Sequence, residues 1–169
     1  MQSKSCIVLD MEDGELEMVW RTRPARGVHI QLGKPNWVWA TVCTADRNPW
    51  LACDEAHGIL RKTWLHADRW LVTDYVLMPD HLHFLAAPLE LEYSLDSWMT
   101  YWKRQFRKNH THLHWRWQPN SFHHRLRNGE SYREKWSYLR ENPIRKGLAQ
   151  RVEDWPFIGR IHPIHWSGD

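Results

Sequence analysis

No stretch of this 169-residue chain approaches the roughly 20 consecutive apolar residues that a membrane-spanning helix needs, and its first residues lack the apolar core of a secretory leader. Cysteine is scarce too. Cys6, Cys43 and Cys53 are widely spaced and form no C-x-x-C pair, which argues against a thiolate zinc site or a disulfide framework and fits a reducing cytosol. Charge of one sign is also limited: 23 Lys and Arg against 20 Asp and Glu leave a formal +3, only mildly basic. Internal repeats and low-complexity tracts are missing. These absences predict a cytoplasmic protein with no membrane partner. The length predicts one domain, which at this size buries roughly 70% of its unfolded surface without staples.

Tryptophan and histidine are abundant, with 13 and 12 copies. Tryptophan beside clustered Arg and Lys suits stacking on bases and contact with phosphates, although most single tryptophans simply fill a core. Residues 1–35 read as an irregular arm, 36–150 as the folded domain and 151–169 as a tail packing on it. Within the domain, Trp37 to Thr44 is rich in β-branched and aromatic residues and predicts a strand. Asp54 should cap a helix carrying Ala56, Ile59, Leu60, Trp64 and Ala67 at helical spacing. Trp70–Leu77 and His81–Ala87, joined by Pro79-Asp80, should form an antiparallel hairpin. Ser94 opens a second helix with Leu95, Trp98, Met99, Trp102 and Phe106 as its buried stripe, and Lys103, Arg104, Arg107 and Lys108 on its other faces. A short strand over Phe122–Leu126 follows. Then comes a helix signed by the capping box Ser131-x-x-Glu134 and stopped by Pro143 after Asn142. The order β-α-β-β-α-β-α predicts an α+β, ferredoxin-like antiparallel sheet with helices packed on one face, plus N- and C-terminal extensions.

The chemistry concentrates in two places. Side chains alternate across a strand, so His81 and His83 leave one face together while Leu82 and Phe84 point behind it. Two nitrogen donors so placed suit a divalent metal. In the capped helix, Tyr138 and Asn142 are four residues apart and share a face. Glu134 lies one turn before Tyr138 and is a candidate supporting group. A phenol is a poor nucleophile while protonated. A metal held by His81, His83 and the amide oxygen of Asn142 could instead polarise a phosphate and make phosphorus attackable.

Strand His81-Leu82-His83, followed about 55 residues later by Tyr138-x-x-x-Asn142-Pro143-x-Arg145-x-Gly147-Leu148, resembles the HUH single-tyrosine transposases. The REP-associated tyrosine transposases of bacteria are the nearest group. Phe122 to Arg127 and Glu153-Asp154-Trp155-Pro156 resemble that group as well, so the likeness runs from about Trp37 to Phe157. Asp80 stands where Asn is more usual, Lys146 where a small residue is common, and the N-terminal arm has no counterpart. The resemblance implies that Tyr138 attacks a single-stranded DNA phosphodiester, leaving a 5′-phosphotyrosine and a free 3′-OH. Mg²⁺ or Mn²⁺ would be the metal, although imidazole ligands also accept Zn²⁺ or Ni²⁺. Short imperfect hairpins of repetitive extragenic palindromes would be the substrate. Lys103, Arg104, Arg107 and Lys108 are candidate phosphate contacts, as are Arg125, Arg127 and Arg145 in the matching stretches. A monomer is expected. A dimer is the alternative, because related transposases outside the REP-associated group exchange the tyrosine helix.

Plainer readings exist for each residue. Taken alone, the two histidines are a structural pair, Tyr138 a half-buried helix aromatic and Asn142 a helix terminator before proline. The cationic run is an ordinary solvated face, and Glu134 is the second half of a capping box. His110-x-His112-x-His114 also alternates, but no helix-borne nucleophile follows it in register, which predicts a solvated loop. Two other functions stay open: a domesticated hairpin-DNA binder that no longer transposes, and a relaxase- or replication-initiator-like nickase.

Overall fold

The computed structural model describes residues 36–90, 92–126 and 129–163, the stretch 129–131 by backbone alone. The expected arm over 1–35, Arg127 and the last six residues, Trp166 among them, therefore lie outside the described residues.

Five strands form one antiparallel sheet: β1 (Val38–Cys43), β2 (Trp70–Leu77), β3 (His81–Pro88), β4 (Phe122–Arg125) and β5 (Ile158–Arg160), in the order β4-β1-β3-β2-β5. Helices α1 (Asp54–His66) and α2 (Leu95–Lys108) supply the βαββαβ crossovers of the ferredoxin-like arrangement. Both lie on one face. Ala56, Leu60 and Trp64 of α1 and Leu95, Trp98, Met99, Trp102 and Phe106 of α2 join Val38, Ala40, Val42, Leu82 and Phe84 in the larger core. Ser94 caps α2 by accepting from the Ser97 N–H at 3.2 Å. Cys53, not Asp54, is the N-cap of α1, and Asp54 is its first helical residue, where a carboxylate favours the positive end of the helix dipole.

The expectation of helices on a single face holds for the crossover pair. Helix α3 (Gly129–Arg140) covers the opposite face, because Tyr132, Trp136 and Leu139 pack against Trp37, Trp39, Val76 and Leu85 in a second core. It starts two residues before Ser131, so the expected capping box lies inside the first turns. The cause is tertiary: the Tyr132 hydroxyl bonds Asp74 and Thr73 on β2 and anchors this end of the helix to the sheet. A β-bulge between Val72 and Tyr75 turns both Thr73 and Asp74 to that face. Asp74, only 3% exposed, also accepts from Arg160 Nε and the same guanidinium's terminal nitrogen at 2.8 and 3.0 Å. Arg160 belongs to β5, so the segment expected to pack on the domain contributes a strand to its sheet.

Nine tryptophans are buried among the described residues, so the high count is mainly core packing rather than a base-stacking surface. The tract from His110 to His114 is a loop, as expected, with His114 exposed, but its first and middle histidines are packed rather than solvated. His110 is buried, His112 stacks on Trp115 at 4.0 Å, and its Nε2 lies 3.1 Å from the Glu55 carboxylate.

Candidate active site

Alternation along β3 does what the sequence implied. Leu82 and Phe84 enter the larger core, while His81 and His83 emerge on the α3 face with ring centroids 4.8 Å apart at 81°. Each imidazole is held through Nδ1. His83 sits opposite Thr41 in the β1–β3 register, 2.8 Å from its hydroxyl. His81 Nδ1 lies 2.7 Å from Asp80 Oδ1, and the other oxygen of Asp80 pairs with Arg47 Nε at 2.7 Å. A carboxylate can only accept, so the proton of a neutral His81 sits on Nδ1 and the lone pair on Nε2. Burial pushes the Asp80 carboxyl up, but its bond to His81 and the charges of His81 and Arg47 prevail and hold it below the usual range. Burial holds His83 well below the ordinary imidazole range, assisted by the charges of His81, Lys135 and Arg47. A neutral imidazole is the form that coordinates a metal.

Helix α3 presents Tyr138 at 40% exposure, while the adjacent Leu139 is buried and fixes the rotation of the helix. The expected continuous helix through Asn142 is broken. Proline has no N–H for the helical bond to residue 139, so α3 ends at Arg140 and a four-residue helix, α4 (Asn142–Arg145), begins with Pro143 in its first turn. It closes with a Schellman cap. Gly147 adopts φ +67°, its N–H reaches the Ile144 carbonyl at 2.9 Å, and the Leu148 N–H reaches the Pro143 carbonyl at 2.8 Å. Only glycine takes that left-handed conformation without strain.

Arg145 clasps the break. It donates to the Tyr138 carbonyl at 2.6 Å and to Glu141 at 2.7 Å, lies 3.4 Å from the Asn142 amide oxygen, and stacks 4.1 Å over the Tyr138 ring. Tyr138, Asn142 and Arg145 thus form one group, and His81 and His83 another. Among the described residues no hydrogen bond joins the phenol or the amide to either imidazole. The link runs through Lys135, whose ammonium lies 4.1 Å from the Trp39 ring and 5.6 Å from the Tyr138 ring. Trp39 itself is 6.0 Å from His83.

The other candidates disperse. Glu134 is exposed and makes no ion pair among the described residues. Lys103 is turned inward, donating to the Gln118 carbonyl at 3.0 Å, and burial lowers its pKa to about 8. Arg104, Arg107 and Lys108 are exposed, but α2 lies behind the sheet, on the face away from the histidines. Arg125 lies on edge strand β4 in register with Val38. Sequence reasoning missed Thr41, Asp80, Arg47, Trp39 and Lys135. Asp80 had a signal in its place beside His81. Thr41 and Trp39 are recruited by strand register, and Lys135 by its position one turn before Tyr138.

Two oriented imidazoles with free choice of an oxygen donor fit a divalent ion in chemistry. Among the described residues no group of three or more His, Cys, Asp or Glu side chains could hold one, so the set needs an oxygen from Asn142, water or substrate.

No family model matches the chain. It is 32% identical over 108 residues to the REP-associated tyrosine transposase of Escherichia coli K12, a match covering 58% of this chain and 63% of that protein. A candidate REP-associated tyrosine transposase from Haemophilus influenzae is 26% identical over 113 residues, covering 55% and 64%. The match thus spans less than two thirds of either relative. A solved structure of a REP-associated tyrosine transposase bound to a REP hairpin superposes with a TM-score of 0.68 at 26% identity, covering 88% of this chain and 93% of that one.

Proposed function

We propose that this chain, similar to REP-associated tyrosine transposases in sequence and fold, is a member of that family and a metal-dependent single-stranded DNA endonuclease and strand transferase acting at REP-like hairpins. One observation carries the reading: two imidazoles with engaged Nδ1 atoms lie on the same sheet face as the helix bearing an exposed, clasped tyrosine. The hairpin bound by the structural neighbour supports the substrate class.

In this reading the Tyr138 oxygen attacks phosphorus as the bond to the 3′ oxygen breaks. The phenolic proton passes to water, the departing oxygen takes a proton from water, and the products are a 5′-phosphotyrosine and a 3′-OH. The covalent bond conserves the phosphodiester energy, so a second 3′-OH can rejoin the strand without ATP. His81, His83 and Asn142 would hold Mg²⁺ or Mn²⁺, which when bound would supply Lewis-acid polarisation of a phosphate oxygen. Thr41 and Asp80 keep the two rings oriented, and Arg145 keeps the tyrosine in place. Arg145 lies beside Tyr138, whereas Arg125, in register with the inward-facing Val38, is on the opposite side of the sheet. Arg104, Arg107 and Lys108 would be reached by DNA passing the β4 edge, and Lys103 only if it gave up its carbonyl partners. The protein would act as a cytoplasmic monomer on chromosomal hairpins.

On a hairpin oligonucleotide, wild type should form a covalent protein–DNA adduct seen on a denaturing gel, and Tyr138→Phe should form none. EDTA should stop cleavage and leave hairpin binding largely intact. A Tyr138→Phe protein that cleaves as well as wild type refutes the assignment. Hairpin retardation with no cleavage in any of several metals would favour a domesticated binder, and the separation of the phenol from the imidazoles is the feature that keeps this second reading alive.

A further inference from the structure

The geometry points to Lys135 as the cation that binds the non-bridging oxygens of the scissile phosphodiester, a role that rests on the nuclease reading above. A phosphodiester attacked by Tyr138 while served by His81 and His83 must occupy the interval between the phenol and the imidazoles. Lys135 stands at that interval. Its ammonium is 5.6 Å from the Tyr138 ring and 4.1 Å from the ring of Trp39, which in turn flanks His83 at 6.0 Å. Among the described residues it is the one cation within 6 Å of both the Tyr138 ring and the aromatic wall beside the imidazoles. The indole face orients the ammonium by cation–π attraction, so the positive charge is in place before substrate arrives. Residues three apart share a helix face, so the helix that carries the nucleophile also carries the counter-charge, and the two move together.

As the phenol oxygen closes on phosphorus, negative charge gathers on the non-bridging oxygens. A fixed cation stabilises that charge more than it stabilises the ground-state diester. The plain alternative is a staple, in which Lys135 on Trp39 merely holds α3 to the sheet. The two differ in whether the substrate's charge matters.

The test compares wild type, Lys135→Gln and Lys135→Arg on a hairpin oligonucleotide with either a normal phosphodiester or an uncharged methylphosphonate at the scissile position. On the phosphodiester, Lys135→Gln should slow adduct formation about 100-fold, and Lys135→Arg should stay within about tenfold of wild type. On the methylphosphonate, wild type and Lys135→Gln should react at closely similar rates, because no charge remains to neutralise. Equal rates on the phosphodiester, or the same deficit on both substrates, overturn the role. If Lys135→Gln fails to fold in a urea melt, Lys135→Met, which keeps the stem on Trp39, takes its place. A wild-type protein that forms no Tyr138-dependent adduct refutes the nuclease reading itself, and the role with it.

Discussion

Replacing Tyr132 by Phe removes one oxygen atom and tests how α3 is held over the sheet. The ring stays packed edge-on to Trp37, 4.9 Å between centroids, so no cavity opens. What goes is the hydroxyl that bonds the Asp74 carboxylate and lies 3.0 Å from Thr73 Oγ1. A hydrogen bond to a charged partner contributes about 1.5–3 kcal/mol. Asp74 keeps both contacts to Arg160, so the loss should fall in the lower half of that range, about 1.5–2 kcal/mol. Urea unfolding at neutral pH should show a lower midpoint with an unchanged slope. Alkaline pH supplies a second, independent check. Burial first, then the bond to Asp74, raises the Tyr132 phenol far above its ordinary range. A group whose pKa is raised on folding contributes stability that is complete below its unfolded pKa, about 10 for tyrosine, and lost as pH rises toward the folded value. Wild type should therefore lose stability above about pH 10 along a component that Tyr132→Phe lacks, and the gap between the two should narrow there. An unchanged midpoint at neutral pH, or a gap that stays constant into alkali, refutes the anchoring role.

Two other perturbations probe different links. Arg145→Ala releases the Tyr138 carbonyl and ring. Adduct formation on a denaturing gel should slow by about 10- to 100-fold, as misplacement of a reacting group predicts, while stability changes by less than about 1 kcal/mol because the ion pair to Glu141 is exposed. His57, His110 and His123 all titrate below the ordinary imidazole range, with burial the largest cause. Their neutral forms support the fold above about pH 6.5, so urea midpoints should fall steadily as pH is lowered from 7 toward 5; a flat profile contradicts this.

The parts of the molecule governed by local pattern were legible in advance. β2 matches its expected bounds, and the α2 stripe from Leu95 to Phe106 is buried residue for residue, because helical and strand periodicities report directly on burial. The outward pairing of His81 and His83 followed from the same alternation. What long-range contacts decide was not legible. β5 is three residues long and owes its place to Asp74, 86 positions away, so no local propensity marks it. α3 begins early because Tyr132 is tied to β2, and the Thr41 and Trp39 contributions depend on the β1–β3 register. Local pattern makes Pro143 an end. It is a joint between two helices, and only the Gly147 cap and the Arg145 clasp reveal it as such.

The bulge in β2 carries a consequence for how this chain can change over time. A regular strand cannot show two neighbouring residues to one side, so the extra residue is what lets Thr73 and Asp74 meet Tyr132 together. Past it the alternation resumes, with Tyr75 and Leu77 in one core and Val76 and Met78 in the other. Deleting either residue would restore a regular strand, with Val72 and Tyr75 still in the larger core but only one side chain left to meet Tyr132, whereas conservative exchanges at the same two positions leave the bulge standing. In related sequences this segment should therefore vary in letters far more readily than in length.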